Sequence, residues 1–264
     1  MIDSPSTSDS PQPVPPQQPA RVPLPRSAPY VTYAIIGVTS SVFVLQLLSI
    51  ALHGGRYSEG MDLLEVYGAL VGSAVRSGQI WRLITPVLLH DNTFFLHILF
   101  NMYALYSLGT GIERHFGHGR FFLLYVLSGF SGNVLSFLIS SQRYLYSIGA
   151  STAIFGLIGA EAVFLIQNRK LFGNQFRSAI GNVIFVIAIN LFVIGSLPFV
   201  DNWGHIGGLL GGLMFTSLAG PLWQVEANML GYSLVDKRSA RDLITGGAVV
   251  AFAFGALALW GMVR

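Results

Sequence analysis

The chain has 264 residues, of which 52% are hydrophobic and 10% are charged, against about 25% charged in an average soluble domain. So little polar surface excludes a water-soluble globular protein, and lipid must be the solvent for most of the chain. There is no cysteine, which excludes disulfides, thiolate catalysis and cysteine-ligated metals. The net charge of +3 comes from scattered residues, and no Lys/Arg cluster suggests nucleic acid as a partner.

Residues 1–29 differ from the rest because they hold nine of the twelve prolines, together with many Ser and Gln residues. Such a segment has too little apolar surface to fold, so the composition predicts a disordered cytoplasmic tail. No apolar stretch precedes Tyr30, and the tail is therefore not expected to be a secretory signal peptide.

Seven long apolar stretches follow the tail, and the fourth reaches spanning length only by including Glu161. A spanning helix needs about 20 mostly apolar residues. Because backbone groups in lipid have no water to bond, each stretch is predicted to be helical. The chain is thus predicted to be an all-α polytopic membrane protein, with spans at 31–52, 92–112, 121–142, 144–167, 178–200, 202–225 and 243–263.

Basic residues are distributed unequally between the two ends of these spans. With the N-terminus in the cytoplasm, ten Lys and Arg residues lie inside and five lie outside, so the positive-inside rule favours this orientation, in a plasma or inner membrane. The long outer loop at 53–91 is expected to be partly folded on the membrane surface, with Trp81 and Arg82 as interfacial anchors. Residues 223–242 are expected to be a cytoplasmic linker before the last span.

Polar residues that could carry chemistry lie near the starts of spans two, four and six. They are His97 with Asn101, then Ser151, and finally His205. In the predicted topology each even-numbered span starts at the outer face, so these residues share one depth, as a composite site requires. His97 and Asn101 are four residues apart, which places both side chains on one helical face.

Glycines at four-residue spacing accompany the histidine of span six, at Gly204, Gly208 and Gly212. Small residues at this spacing let helix backbones approach closely in membranes. Spans four and six are therefore predicted to pack tightly enough for Ser151 to hydrogen-bond His205.

That contact would have a chemical purpose. A serine hydroxyl is a weak nucleophile until an adjacent base takes its proton, and His205 is that base for Ser151. Attack on a peptide carbonyl also creates an oxyanion that needs preorganised donors. His97, the Asn101 amide and the backbone N–H of Ser151 can supply them.

Over about residues 60–220 the chain resembles the rhomboid family of intramembrane serine proteases. The motifs that carry the resemblance occur in the family's order: Trp81-Arg82, His97-xxx-Asn101, Gly109-xxx-Glu113-xxx-Gly117, Gly149-Ala150-Ser151 and Gly204-His205-xx-Gly208-xxx-Gly212. The resemblance implies a six-helix catalytic bundle over 30–222 followed by an additional transmembrane helix at 243–264. It also implies cleavage of peptide bonds in or near transmembrane segments of other membrane proteins, without a cofactor or a metal.

The same resemblance implies individual roles. The implied catalytic dyad is Ser151 and His205. The implied oxyanion donors are His97 and Asn101. The implied supporting residues are Gly149, Phe155 and Gly208. Phe155 is expected to stack beneath the His205 ring. Thr152 stands where the family usually has glycine, and a β-branched side chain there could crowd the substrate or alter the backbone donor.

Other polar residues have more ordinary interpretations beside the chemical ones. Asp201 could orient His205 as a third triad member, but an N-cap of span six is favoured. Glu113 and Arg114 end span two on the cytoplasmic side, far from Ser151, and are interpreted as a structural tie. His90 is either a residue lining the water entry or an ordinary loop histidine.

Two other function classes remain open. One is a catalytically inactive rhomboid-like protein that binds membrane helices without cutting them, although a pure binder has no use for a buried Ser151–His205 pair. The other is a transporter or channel, which usually places ionisable residues near the midplane or shows internal repeats. A covalent serine probe separates a protease from both.

Overall fold

The structure is a computed structural model that describes residues 26–57, 60–139, 146–197, 200–228 and 231–264. The disordered tail predicted over residues 1–29 falls mostly on residues 1–25, which lie outside the described part. The helices, in chain order, are α1 (Tyr30–His53), α2 (Leu63–Gly68), α3 (Gly72–Arg76), α4 (Leu96–Ala104), α5 (Thr110–Phe116), α6 (His118–Ile139), α7 (Ser151–Gln167), α8 (Arg169–Phe172), α9 (Phe176–Ala188), α10 (Asn202–Ala219) and α11 (Ala240–Val263). Two antiparallel strands are β1 (Trp223–Asn228) and β2 (Gly231–Asp236).

Several of these helices join into longer segments. A π-helical turn at Leu105–Gly109 connects α4 to α5, and α9 continues through further helical turns to Ser196. Among the described residues, four segments are long and apolar enough to cross a membrane: Tyr30–His53, His118–Ile139, Arg169–Ser196 and Ala240–Val263. The shorter α7, which begins with Ser151, is also apolar, and the other polar site residues lie on α4 and α10. The prediction of an all-α polytopic membrane fold is confirmed, with one short hairpin added.

The sequence places the end of span six at the wrong residue. The sequence predicts a helix to residue 225, but α10 ends at Ala219 and is followed by Gly220 and Pro221. Proline lacks an N–H donor and cannot continue a helix. The segment expected only to link spans six and seven instead contains the β1–β2 hairpin. The backbone N–H of Trp223 donates to Asn168 Oδ1 at 2.8 Å, which ties the hairpin to the end of α7.

The centre of the bundle is formed by α6, α7 and α10, which contact one another more extensively than other helices do. A Cβ atom added to Gly208 would lie 1.9 Å from the carbonyl oxygen of Thr152, and one added to Gly212 would lie 2.0 Å from that of Gly156. The backbones of α7 and α10 therefore touch directly. The predicted close packing of spans four and six is confirmed.

The loop between α1 and α4, called the outer loop after its predicted side of the membrane, is folded, as expected, but Arg82 does not act as a surface anchor. Its side chain is only 5% exposed, and its guanidinium donates to the carbonyl oxygens of Val66 at 2.6 Å and Ala69 at 2.7 Å. These carbonyls lie at the end of α2, where intrahelical donors run out. Trp81 remains half-exposed, and its indole N–H donates to the Tyr67 carbonyl oxygen at 3.0 Å.

Candidate active site

Ser151 and His205 meet where α7 and α10 begin. Ser151 is the first residue of α7, and His205 lies in the first turn of α10. Ser151 Oγ and His205 Nε2 are 2.9 Å apart, a hydrogen-bonding distance. The His205 ring stacks on Phe155, one turn further along α7, with centroids 4.1 Å apart and planes 9° from parallel. Both contacts expected from the sequence are formed.

Asp201 caps the helix that carries His205. Its Oδ1 accepts a hydrogen bond from the Gly204 N–H at 3.0 Å, as an N-cap residue does. Its Oδ2 accepts from Ser147 Oγ at 2.8 Å and from Ser136 on α6. The predicted N-cap is confirmed. The triad alternative is not formed, because His205 Nδ1 has no hydrogen-bond partner among the described residues.

Gly149 lies between Ser151 and a third polar residue, His97. Its φ of +126° is a conformation that side chains rarely adopt. A Cβ atom there would lie 2.9 Å from His97 Nε2 and 3.7 Å from Ser151 Oγ. Glycine is therefore required both by the backbone and by the narrow space between His97 and Ser151.

His97 and Asn101 differ in the hydrogen bonds that their side chains make beside this space. His97 Nδ1 accepts from the Asp91 N–H at 3.3 Å, so the neutral ring carries its proton on Nε2, beside Gly149. Asn101 is 7% exposed, and its Nδ2 donates to the His97 carbonyl oxygen at 2.8 Å. One amide proton of Asn101 is thus engaged within α4, and the other is left for a second acceptor.

Thr152, the residue that departs from the family pattern, does not enter the site. Its side chain is 4% exposed. A Cβ atom on Gly132 of α6 would lie 2.6 Å from Thr152 Cβ, and one on Gly204 would lie 3.1 Å from Thr152 Cγ2. The side chain fills a gap between α6 and α10. The burial of the side chain argues against contact with a substrate, and the effect of Thr152 on the substrate or on the backbone donor stays a prediction.

A buried polar cluster under the outer loop is the part that the sequence analysis missed. Gln46 of α1 donates to Asp62 Oδ2 at 2.7 Å and to the His90 carbonyl oxygen at 3.0 Å. Asp62 and Glu65 form a capping box at the start of α2. The Asp-x-x-Glu spacing signals such a cap, but nothing in the sequence connects it to Gln46. Burial raises the pKa of Glu65 to about 7, and the adjacent Asp62 charge acts in the same direction.

Glu113 has the structural role expected for it. Its side chain is fully buried. The carboxylate accepts from the Val31 N–H at 2.9 Å and from the Thr32 N–H at 2.7 Å. It therefore joins the end of the second span to the first turn of α1. The prediction of a structural tie is confirmed.

A bundle of membrane helices with a hydrogen-bonded serine and histidine at one end defines a class: polytopic membrane proteins with the side-chain pair that serine hydrolases use. Within the described ranges, no group of three or more His, Asp or Glu residues could hold a metal ion. A family model described as Rhomboid domain matches residues 77–221, more than half of the chain. The chain belongs to the rhomboid family.

Individual relatives agree with this assignment. A Bacillus subtilis (strain 168) protein named Rhomboid protease GluP is 38% identical over 192 residues, which cover 73% of this chain and 35% of the relative. RHOMBOID-like protein 1 of Arabidopsis thaliana is 44% identical over 57% of this chain and 38% of its own length. Rhomboid-like protease 3 of Toxoplasma gondii is 29% identical over 68% of this chain and 66% of its own length. The chain thus spans little more than a third of the first two relatives.

Proposed function

We propose that the chain is an intramembrane serine endopeptidase that hydrolyses peptide bonds in or near transmembrane segments of other membrane proteins. The observation that carries the proposal is the 2.9 Å contact between Ser151 Oγ and His205 Nε2, with the His205 ring stacked on Phe155. The Bacillus subtilis and Toxoplasma gondii relatives are both named as proteases, and these names support the proposal.

In the proposed reaction, His205 takes the Ser151 proton as Oγ attacks the substrate carbonyl carbon, and then gives that proton to the leaving amine. A water molecule next attacks the acyl-enzyme by the same route and frees Ser151. The oxyanion accepts from His97 Nε2–H, from the free amide proton of Asn101 and from the Ser151 backbone N–H. The last of these is available because the first N–H groups of a helix have no intrahelical partner.

The proposed topology has a cytoplasmic N-terminus and an active site towards the outer face of a cell membrane. The excess of Lys and Arg in the segments then placed inside supports this orientation. Residues 30–222 form the proposed catalytic core, residues 223–242 connect it to α11 on the cytoplasmic side, and α11 is an additional spanning helix.

The proposed substrate is a spanning helix that unwinds near the outer face, with small residues at the cleaved bond. A helical peptide bond is sterically shielded and its carbonyl is already hydrogen-bonded, so local unwinding must precede attack. Gly or Pro in the substrate helix lowers the cost of unwinding. The substrate and the lipid bilayer are the partners that this function requires.

Fluorophosphonate labelling and cleavage of a single-span reporter test the proposal. Ser151→Ala and His205→Ala should each remain folded, take up no label and lower kcat at least about 10⁴-fold. Ser41→Ala is the matched control, because Ser41 lies on α1 and donates to the Gly37 carbonyl oxygen of the same helix; it should behave as the wild type. Cleavage by purified Ser151→Ala would sink the assignment. A folded wild type that neither labels nor cleaves would favour the inactive helix binder.

A further inference from the structure

The short segment before Ser151 is held against the outer loop along its length. Three pairs of residues make these contacts: Ser147 with Leu70 through two backbone bonds of 3.0 Å, Gly149 N–H with the Pro86 carbonyl oxygen at 2.9 Å, and Ala150 N–H with His90 Nε2 at 3.4 Å. Because Ser151 follows directly, the outer loop determines where α7 begins and where the serine hydroxyl lies.

The His90 contact differs from the other two because a side chain makes it. His90 is fully buried, so its side chain is not in contact with solvent. Its ring also packs against His97, with centroids 5.1 Å apart and planes at 57°. One side chain thus contacts both the segment that carries Ser151 and the proposed oxyanion donor.

His90 is itself fixed from α1. Gln46 Oε1 accepts from the His90 N–H at 3.1 Å, and Gln46 Nε2 donates to the His90 carbonyl oxygen at 3.0 Å. Burial lowers the pKa of His90 to about 3, and the neighbouring His97 acts in the same direction. The ring therefore stays neutral at any pH near neutrality, with Nε2 as an acceptor for the Ala150 N–H.

We propose that His90 is a positioning residue for the protease reaction proposed above, on which this inference rests. Its Nε2 accepts from the Ala150 amide and its ring packs against that of His97, so that the serine hydroxyl and the oxyanion donor keep their relative positions. A displacement of about 1 Å in such a pair can cost about 10²-fold in rate. Because its side chain is buried, its loss should lower kcat with little change in KM.

Three substitutions separate positioning from packing. His90→Leu keeps much of the volume but has no acceptor. His90→Gln can place an amide oxygen near the position of Nε2, and His90→Asn is polar but too short to reach Ala150. We expect His90→Leu and His90→Asn to lower kcat about 10²-fold with little change in KM, and His90→Gln to recover most of the activity.

The measurement is reporter cleavage by the full chain, with thermal unfolding recorded for every variant. His53→Leu is the control, because it removes an exposed histidine from the end of α1; it should cleave as the wild type does. If His90→Leu fails to fold, the Gln and Asn variants still give the comparison. Equal losses in Gln and Asn, or wild-type rates in Leu, would overturn the positioning role. A wild type that neither labels nor cleaves would instead overturn the proposed function beneath it.

Discussion

The helices α6, α7 and α10 and the outer loop are held together by different forces. The helices pack through glycines and apolar side chains, with backbone against backbone at Gly208 and Gly212. Lipid gives no hydrophobic force between helices, so such close packing must supply the stability. The outer loop instead depends on buried hydrogen bonds from Arg82 and Gln46. The two regions meet at Ser151, and each should therefore respond to a different perturbation.

The largest expected effect is steric and belongs to the helices. Gly208→Ala would place Cβ 1.9 Å from the Thr152 carbonyl oxygen. Neither backbone can move away without separating α7 from α10, so we expect a loss of about 3 kcal/mol or more. Gly255→Ala on α11 is the matched control, since no atom in the described part of the chain lies within 4 Å of its added Cβ. It should gain up to about 1 kcal/mol from helix propensity.

Thermal unfolding of both glycine variants in the same detergent checks this pair. Equal melting temperatures would show that the contact between α7 and α10 contributes nothing to stability.

The next effect is electrostatic and belongs to the outer loop. The pKa of Glu65 is raised from 4.5 to about 7 in the folded chain, so the folded state holds the proton more tightly than the unfolded one. The stability that this supplies is complete below about pH 4.5 and is lost as the pH rises to about 7, a decline on the order of 2–3 kcal/mol. Glu65→Gln should flatten the decline, because its side chain stays neutral.

Unfolding curves at pH 5 and pH 8 measure this difference. Glu226→Gln is the control, because Glu226 lies at the surface of the hairpin and pairs with Lys237. It should keep the wild-type pH dependence. Parallel curves for the wild type and Glu65→Gln would show that the buried cluster is insensitive to pH.

The smallest effect tests the junction of the two regions. Thr152→Gly empties the space between α6 and α10 and should cost about 1–2 kcal/mol in unfolding free energy. Because the side chain points away from the site, the ratio of rates for reporters with small and large residues at the cut should not change. A variant that gained activity on large residues would show that Thr152 limits the substrate after all.

The sequence predicted the helix contacts much better than the outer loop. The meeting of Ser151 and His205 follows from helical periodicity and glycine spacing, which are local signals. The bonds of Gln46 to His90 join residues 44 positions apart, and no local pattern encodes such a pairing. The same holds for the bonds of Arg82 to two backbone carbonyls at the end of α2, which lie 13 and 16 positions earlier in the chain.

The failure to predict the β1–β2 hairpin is a different kind of error, because the sequence does contain a strand signal there. Apolar and polar residues alternate in β1 from Trp223 to Asn228, a period typical of strands. The absence of charge up to residue 225 also predicts an extension of span six, and the two signals overlap at residues 223–225.

The bonds of Glu113 to α1 also have a consequence for biosynthesis. Pro29 at the start of α1 provides no side-chain cap, and the amides of Val31 and Thr32 bond a carboxylate that is 82 and 81 residues further along the chain. When α1 leaves the ribosome, the acceptor for these amides has not yet been translated. The first helix therefore enters the membrane without these two hydrogen bonds at its N-terminal end, and they form only after the second span has followed it.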